Sequence, residues 1–284
     1  MEVSYYPGCS LEGTAVDYAE SIAGIARLLE VELAELEDWN CCGASAAHSI
    51  NHTLALNLPV RNLLIAQEAK KDVVVPCALC FNRLKVAEKA LAGPEGEKWG
   101  PRAEVPVKVW DLLDYLTQPP FLEALAQRIV QPLSGLRAVC YYGCLVARPP
   151  KVTDKDAYEN PRNMEALLQV LGAEPIDWSY KTDCCGAGSA VARPDIIDTL
   201  VQRLYDQALA AEAECFVVSC QMCQANLDLP QNRISKRSGR DYYLPVLYFT
   251  ELTGLALGHA EVKNWLAKHL VDPKPLLKEK GFRF

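Results

Sequence analysis

Two cysteines stand side by side at Cys41 and Cys42, followed by Gly43, and the same triplet returns at Cys184, Cys185 and Gly186. Adjacent Cα atoms are ~3.8 Å apart, closer than an unstrained disulfide spans, so neither pair reads as a bond between neighbours. Each triplet has the same companions. Cys9 precedes the first and Cys77-x-x-Cys80 follows it; Cys144 precedes the second and Cys220-x-x-Cys223 follows it. Positions 41, 42, 77 and 80 recur at 184, 185, 220 and 223 with one constant offset, and only the leading cysteine departs from that register. Thiolates are soft ligands suited to iron–sulfur clusters, zinc and copper(I). A CxxC at the start of a helix meets N–H groups that favour thiolate over thiol. Successive side chains on a strand point to opposite faces, so vicinal cysteines reach one centre only where the backbone turns sharply, and glycine permits that turn. Four sulfurs complete a zinc site or a four-iron cubane. Five converging cysteines exceed both, leaving either one extra, redox-active thiol or a larger, opened cluster.

The repeat extends beyond the cysteines to the elements that must position them. "YYPGC" (5–9) matches "YYGC" (141–144), "VVVPCALC" (73–80) matches "FVVSCQMC" (216–223), and "VPVKVWDLLDYL" (105–116) echoes "LPVLYFTELTGL" (244–255). So long a period marks duplicated domains rather than a solenoid of short units. The linker falls around 117–135, giving a first domain of 1–125 and a second of 126–284. In each half a strand (3–6; 137–142) ends at the first cysteine and a helix follows (15–30; 161–172). A strand-like segment (31–36; 173–178) leads to the vicinal pair. A further helix (53–70; 194–213) precedes a short apolar run (73–75; 216–218) that reads as a buried parallel strand. The spacing predicts an α/β fold: two pseudo-symmetric Rossmann-like domains with parallel sheets. Ligands of open α/β sheets gather at the carboxyl ends of the strands, where both sets of cysteines lie, so each quintet can converge.

Composition narrows the function classes. The net charge of -7 excludes the basic footprint that nucleic acid requires. Half the residues are hydrophobic, enough for a sizeable core. No apolar stretch approaches the ~18 residues of a membrane span, and the chain opens on "EVSYYPGC" without a secretory pattern. A soluble, cytoplasmic protein is expected. Structural disulfides are rare in that compartment, which leaves metal binding or redox chemistry for the cysteines.

The pattern Cys9, Cys41-Cys42-Gly43, Cys77-x-x-Cys80, and its copy Cys144, Cys184-Cys185-Gly186, Cys220-x-x-Cys223, resembles the CCG domain. The double copy, over nearly the whole chain, resembles the B subunit of heterodisulfide reductase. That resemblance implies a non-cubane [4Fe-4S] cluster in each CCG domain, bound by Cys9, Cys41, Cys42, Cys77 and Cys80 in the first and by Cys144, Cys184, Cys185, Cys220 and Cys223 in the second. It implies a disulfide substrate between the clusters, near a pseudo-twofold interface; in the methanogen enzyme this is the mixed disulfide of coenzymes M and B. It also implies electrons arriving one at a time through the cubane clusters of a ferredoxin-type C subunit, ultimately from a flavin-bearing A subunit. The run "GASAAHS" (43–49) is closer to bacterial relatives, which include sulfur-oxidising complexes acting on a lipoate-bound sulfur species. The chain lacks a ferredoxin-type CxxCxxCxxxCP run, which argues for a separate electron donor and against the glycolate- and lactate-oxidase subunits that carry one. A non-catalytic electron relay and a zinc-stabilised scaffold are the competing readings, with zinc in one repeat and iron–sulfur in the other as a variant.

Other residues take roles from this setting. His48 and His52 are spaced i, i+4, so they could share a helix face. His48 is the candidate catalytic proton donor, since reducing a disulfide consumes two protons. The second repeat reads "GAGSAVA" (186–192) there, without histidine, so the role is asymmetric. Arg83, Lys85, Arg148 and Lys181 lie near cysteine motifs; they read as solvated surface charge, with attraction of an anionic substrate as the sharper alternative. Cys140 and Cys215 fall outside the repeat and read as buried packing. "NRISKRSGR" (232–240) reads as an exposed basic loop, and the tail "KPLLKEKGFRF" (274–284) as a docking segment or a frayed end.

Overall fold

The computed structural model describes residues 2–44, 46–94, 96–99, 107–190 and 192–284. Positions 105–106 of the sequence echo lie outside the described residues, as do Ser45 and Val191 in the runs after the vicinal pairs. The first half runs β1 (Glu2–Tyr5), α1 (Cys9–Gly13), α2 (Val16–Leu28), β2 (Glu32–Glu35), α3 (Ala46–Ile50), α4 (His52–Ala69), β3 (Val73–Val75), α5 (Ala78–Ala92), β4 (Val109–Asp111), α6 (Leu112–Leu116) and α7 (Pro119–Ala126). The second runs β5 (Arg137–Tyr141), α8 (Pro150–Thr153), α9 (Asn163–Val170), β6 (Glu174–Ile176), α10 (Pro194–Ala210), β7 (Cys215–Val218), α11 (Gln221–Asp228), α12 (Gln231–Ser238), β8 (Val246–Tyr248), α13 (Phe249–Ala256), α14 (Val262–Leu266) and α15 (Lys274–Glu279).

Each half holds one four-stranded sheet, ordered β2-β1-β3-β4 and β6-β5-β7-β8, and every pairing is parallel. The inner strands β3 and β7 are buried throughout, because helices cover both faces of a parallel sheet and such strands read as unbroken apolar runs. The edge strand β2 (ELAE) stays partly exposed and keeps its glutamates. Cys140 and Cys215 lie on neighbouring strands in this interior, fully buried, as packing requires.

The fourth strands, β4 and β8, were visible in the sequence only as an echo, and the echo is off by two positions. Val75 pairs with Asp111 and Val218 with Tyr248, which makes Asp111 the counterpart of Tyr248 rather than of Thr250. Both residues are N-caps, of α6 and α13 respectively.

The halves meet reciprocally: α2 packs on α13 and α14, and α9 packs on α6 and α7. Tyr18 of α2 stacks on Tyr248 at 4.1 Å and donates through its hydroxyl to the Ser219 carbonyl at 2.9 Å. Ser21 bonds Thr250 at 2.7 Å. On the mirrored side the Asn163 amide donates to Asp114 at 2.8 Å.

Two peripheral readings need correction. Residues 231–238 form a helix, not a loop: Ile234 anchors it in the core, and Arg233 and Arg237 are paired with the buried Asp198. The tail does not fray. Leu276, Leu277 and Phe282 are buried, and Arg283 exchanges backbone hydrogen bonds with the Gln131 side chain. No helix among the described residues is long and apolar enough to cross a membrane.

Candidate metal centres

The strand order explains why scattered cysteines meet. In the order 2-1-3-4 the chain leaves β1 toward one edge and returns through β3 on the other side, and the crevice at that switch collects loops from the carboxyl ends of adjacent strands. Cys9 follows β1, the Cys41–Cys42 pair follows β2, and Cys77 is the N-cap of α5 directly after β3, with Cys80 in the first helical turn. The second half repeats this with Cys144 after β5, the Cys184–Cys185 pair after β6, and Cys220 as the N-cap of α11 after β7.

Glycines and tyrosines shape these loops. Gly43 and Gly186 sit at φ 71° and 81°, the turn that lets neighbouring cysteines serve one side. Their backbone N–H groups point to the Cys41 and Cys184 sulfurs at 3.4 and 3.3 Å. Tyr6 and Tyr141 are a second matched pair. Each donates its hydroxyl to the carbonyl just before the vicinal cysteines, Asn40 at 2.8 Å and Asp183 at 2.6 Å, which ties the first loop to the second. Buried Asn62 clamps Asn40 from α4 through both of its amide atoms, and Asn226 holds the Cys185 carbonyl at 2.5 Å. The tyrosines were legible in the matched "YYPGC" and "YYGC"; the asparagines carried no sequence signal.

The sulfurs assemble in mirrored groups. In the first half the Cys42 and Cys80 sulfurs are 3.2 Å apart, Cys77 lies beside Cys80, and Cys9 lies beside Cys41. In the second half Cys185 and Cys223 are 4.0 Å apart and Cys144 and Cys184 are 3.7 Å apart, while Cys223 touches Cys220. Cys77 and Cys220, both free thiols, then lie close enough across the domain interface to shift each other's pKa. Six sulfurs therefore form one buried run, Cys42–Cys80–Cys77–Cys220–Cys223–Cys185. Cys9, Cys41 and Cys184 are exposed at its rim, with Cys144 half-buried.

Contacts between neighbouring thiols shift the two partners of each pair in opposite directions. A hydrogen bond from Cys80 pulls Cys42 down to about 7 against its burial, helped by the Ala44 N–H and the Arg83 guanidinium. Cys144 does the same for Cys184, which falls to about 6 with help from the Gly186 N–H. Cys77 lies well below the usual thiol range because Cys220 and Cys80 both bond it, and Cys185 is lowered by Cys223. The partners Cys80, Cys144 and Cys223 are raised correspondingly. Cys220 is lowered by Cys223 but raised by Cys77 and by burial, and stands at about 12. Metal binding requires thiolate, so loading either centre would release the protons that the raised thiols hold. An all-sulfur set of five per half suits a soft multi-iron centre better than an oxygen-preferring cation.

The cationic and histidine candidates fare differently. Lys85 and Lys181 are neither solvated nor free. Lys181, 2% exposed, pairs with buried Glu165 at 2.5 Å, and Lys85, 4% exposed, pairs with Glu88 and reaches Asp154 in the other half at 2.8 Å. Arg148 is bonded to Thr182 at 3.0 Å, and only Arg83 lies beside a sulfur. His48 and His52 do not share a helix. Asn51 breaks the run with extended backbone and caps α4 by accepting from the Leu54 N–H, so His48 lies in α3, exposed, and His52 opens α4. A cluster absent from the sequence reading, Asp17, Glu251 and His269, is buried between the halves, where His269 pairs with Glu251 at 2.8 Å.

Comparison with known proteins agrees with this arrangement. The cysteine-rich (CCG) domain model matches residues 3–85 and 138–228, each span enclosing one quintet. The 8-methylmenaquinol:fumarate reductase membrane anchor subunit of Wolinella succinogenes is 30% identical over 282 residues, covering 97% of this chain and 99% of the relative. The B subunit of the ferredoxin:CoB-CoM heterodisulfide reductase of Methanosarcina mazei is 26% identical over 270 residues, covering 90% of this chain and 89% of the relative. A hypothetical protein from Helicobacter pylori, known from its crystal structure, matches with a TM-score of 0.73 at 12% identity over 95% of this chain, a likeness of fold; this chain spans 52% of that longer one. With both sulfur groups enclosed by matched segments, the chain belongs to the cysteine-rich CCG-domain family and carries two copies of the domain.

Proposed function

We propose that this chain is the catalytic iron–sulfur subunit of a heterodisulfide reductase-type complex, reducing a disulfide held between two non-cubane [4Fe-4S] clusters. The observation that carries the reading is the buried run of thiols bridging the two halves at Cys77 and Cys220. Cys9, Cys41, Cys42, Cys77 and Cys80, in a first domain of 1–125, would hold one cluster; Cys144, Cys184, Cys185, Cys220 and Cys223, in 126–284, would hold the other. When bound, such clusters supply electrons singly at two adjacent points. One disulfide, two electrons and two protons give two thiols. The electrons would come from a reduced ferredoxin-type partner approaching the exposed rim, and His48, in α3 shortly after the Cys41–Cys42 turn, would deliver a proton. Backbone N–H groups favour the thiolate at Cys42, Cys77, Cys184 and Cys185, and the Arg83 guanidinium offsets charge beside Cys42. The name of the Methanosarcina relative supports this reading. That of the Wolinella relative, an anchor subunit of a quinol:fumarate reductase, favours a second: a relay that passes electrons to a partner's active site.

Anaerobic protein is expected to be brown, with about eight iron and eight labile sulfide per chain if both centres are four-iron. With reduced viologen and a candidate disulfide it should release thiol, and His48→Ala should slow release at unchanged iron. Cys42→Ala and Cys185→Ala should each remove the iron of one half. Brown protein that releases no thiol moves the assignment to the relay; a colourless, zinc-containing protein overturns both.

A further inference from the structure

The two halves match closely in their sulfurs but not in what flanks them. Around the first CxxC the chain reads Pro76-Cys77-Ala78; around the second it reads Ser219-Cys220-Gln221. The second repeat thus sets a hydroxyl and an amide beside Cys220 where the first has none. Both side chains are buried, Gln221 at 3% exposure and Ser219 at 2%. Neither has a hydrogen-bond partner among the described residues: the Ser219 Oγ and both the Oε1 and Nε2 of Gln221 are unpaired. Of the other buried side-chain atoms without a hydrogen bond, Glu165 Oε1 and Lys181 Nζ are joined as an ion pair, which leaves Gln67 Oε1 alone outside this tripeptide. Buried polar groups in folded proteins are almost always paired. A concentration of orphans on both sides of one cysteine calls for a partner that the protein itself does not provide.

Cys220 identifies that partner's place. Its buried thiol lies beside Cys223 on one side and Cys77 on the other. Gln221 is the first residue of α11, between the two cysteines of the motif. Asn226 in the same helix already turns its amide to the Cys185 carbonyl. Gln221 and Ser219 are the chain neighbours of Cys220, and no protein group among the described residues pairs their polar atoms, so the group that Cys220 would hold is the partner nearest to them along the chain.

Resting on the iron–sulfur reading above, we infer that Gln221, assisted by Ser219, donates hydrogen bonds to sulfur of the second centre and thereby sets that centre's reduction potential above the value its ligands alone would give. Hydrogen bonds to cluster sulfurs stabilise the more negative, reduced form. The first centre, with Pro76 and Ala78, lacks this pair of donors, so the two centres are electronically unequal although their ligands are matched. Gln221 is a positioning and tuning residue, not a ligand.

The test is a potentiometric titration, followed by electron paramagnetic resonance, of full-length anaerobic protein as wild type, Gln221→Met and Ser219→Ala. Methionine keeps the length and burial of the side chain and removes the donor. The expected result is two centres in all three proteins and unchanged iron. The midpoint of one centre should shift to more negative potential, more in Gln221→Met than in Ser219→Ala, while the other stays fixed as an internal control. Unmoved midpoints, or equal shifts of both centres, overturn the inference and leave the iron–sulfur reading intact. Loss of iron in Gln221→Met overturns it in favour of structural support. Weakened disulfide binding with unmoved midpoints assigns Gln221 to the substrate instead. Wild-type protein without iron–sulfur signals overturns both the inference and the reading beneath it.

Discussion

Gly143 offers the sharpest test of whether the loop after β5 is built around a sulfur. Its backbone lies at φ 70°, and a Cβ there would sit 2.8 Å from the Cys223 sulfur. Left-handed backbone costs an alanine roughly 1–2 kcal/mol. The contact is a separate cost: non-bonded heavy atoms pack best at ~3.5–4.0 Å, so the sulfur must retreat by about 1 Å. Metal–thiolate bonds of ~2.3 Å tolerate only ~0.2 Å of misfit, so the displaced thiol leaves its place in the centre. Gly135 is the control. It has the same kind of backbone, φ 80°, with nothing within 4 Å of a built Cβ, so Gly135→Ala isolates the conformational cost. Iron, labile sulfide and thermal unfolding are measured on anaerobic protein. Gly135→Ala should keep all its iron and lose ~2–8 °C of Tm. Gly143→Ala should lose more than that, together with about half of the iron. Gly8→Ala, whose Cβ would meet the Cys80 sulfur at 3.0 Å, should do the same in the other half. Full iron in Gly143→Ala, with a Tm change equal to that of Gly135→Ala, would refute the argument.

Lys181→Met leaves Glu165 buried without its cation, although the Tyr142 hydroxyl still bonds it at 2.5 Å. A loss of ~3–5 kcal/mol is expected, measured by denaturant unfolding, and a loss below ~1 kcal/mol would make the pair incidental. His269 gives a pH signature. Burial pulls it down, but Glu251, Asp228 and Asp17 outweigh burial and raise it to about 9. Its unfolded value is ~6.5, so protonated His269 stabilises the fold fully below about pH 6.5, and this contribution, at most roughly 3 kcal/mol, is lost as pH rises through about 9. Tm should fall across that window in the wild type and less in His269→Gln; parallel profiles would remove His269 from the account.

By itself the sequence determined the duplication, the parallel α/β class and the two sets of five cysteines, because each is written in periodicity, side-chain type and spacing along the chain. Val73–Val75 and residues 216–218 announce buried strands, and the glycines after the vicinal pairs announce the turns. Only the tertiary structure decided which groups face one another. Lys85 and Lys181 look like surface cations until Asp154 and Glu165 arrive from distant segments. His48 and His52 share a helical spacing until the Asn51 cap divides them. The basic stretch at 232–240 is helical up to Ser238, with Ile234 in the core and Arg233 and Arg237 paired with Asp198 on α10, and the tail is held by the core that Leu277 enters. The approach of Cys77 to Cys220 follows from no local pattern. It exists because α2 packs on α13 while α9 packs on α6, and this reciprocal docking brings the ends of β3 and β7 together, joining two sulfur groups that the chain itself holds half its length apart.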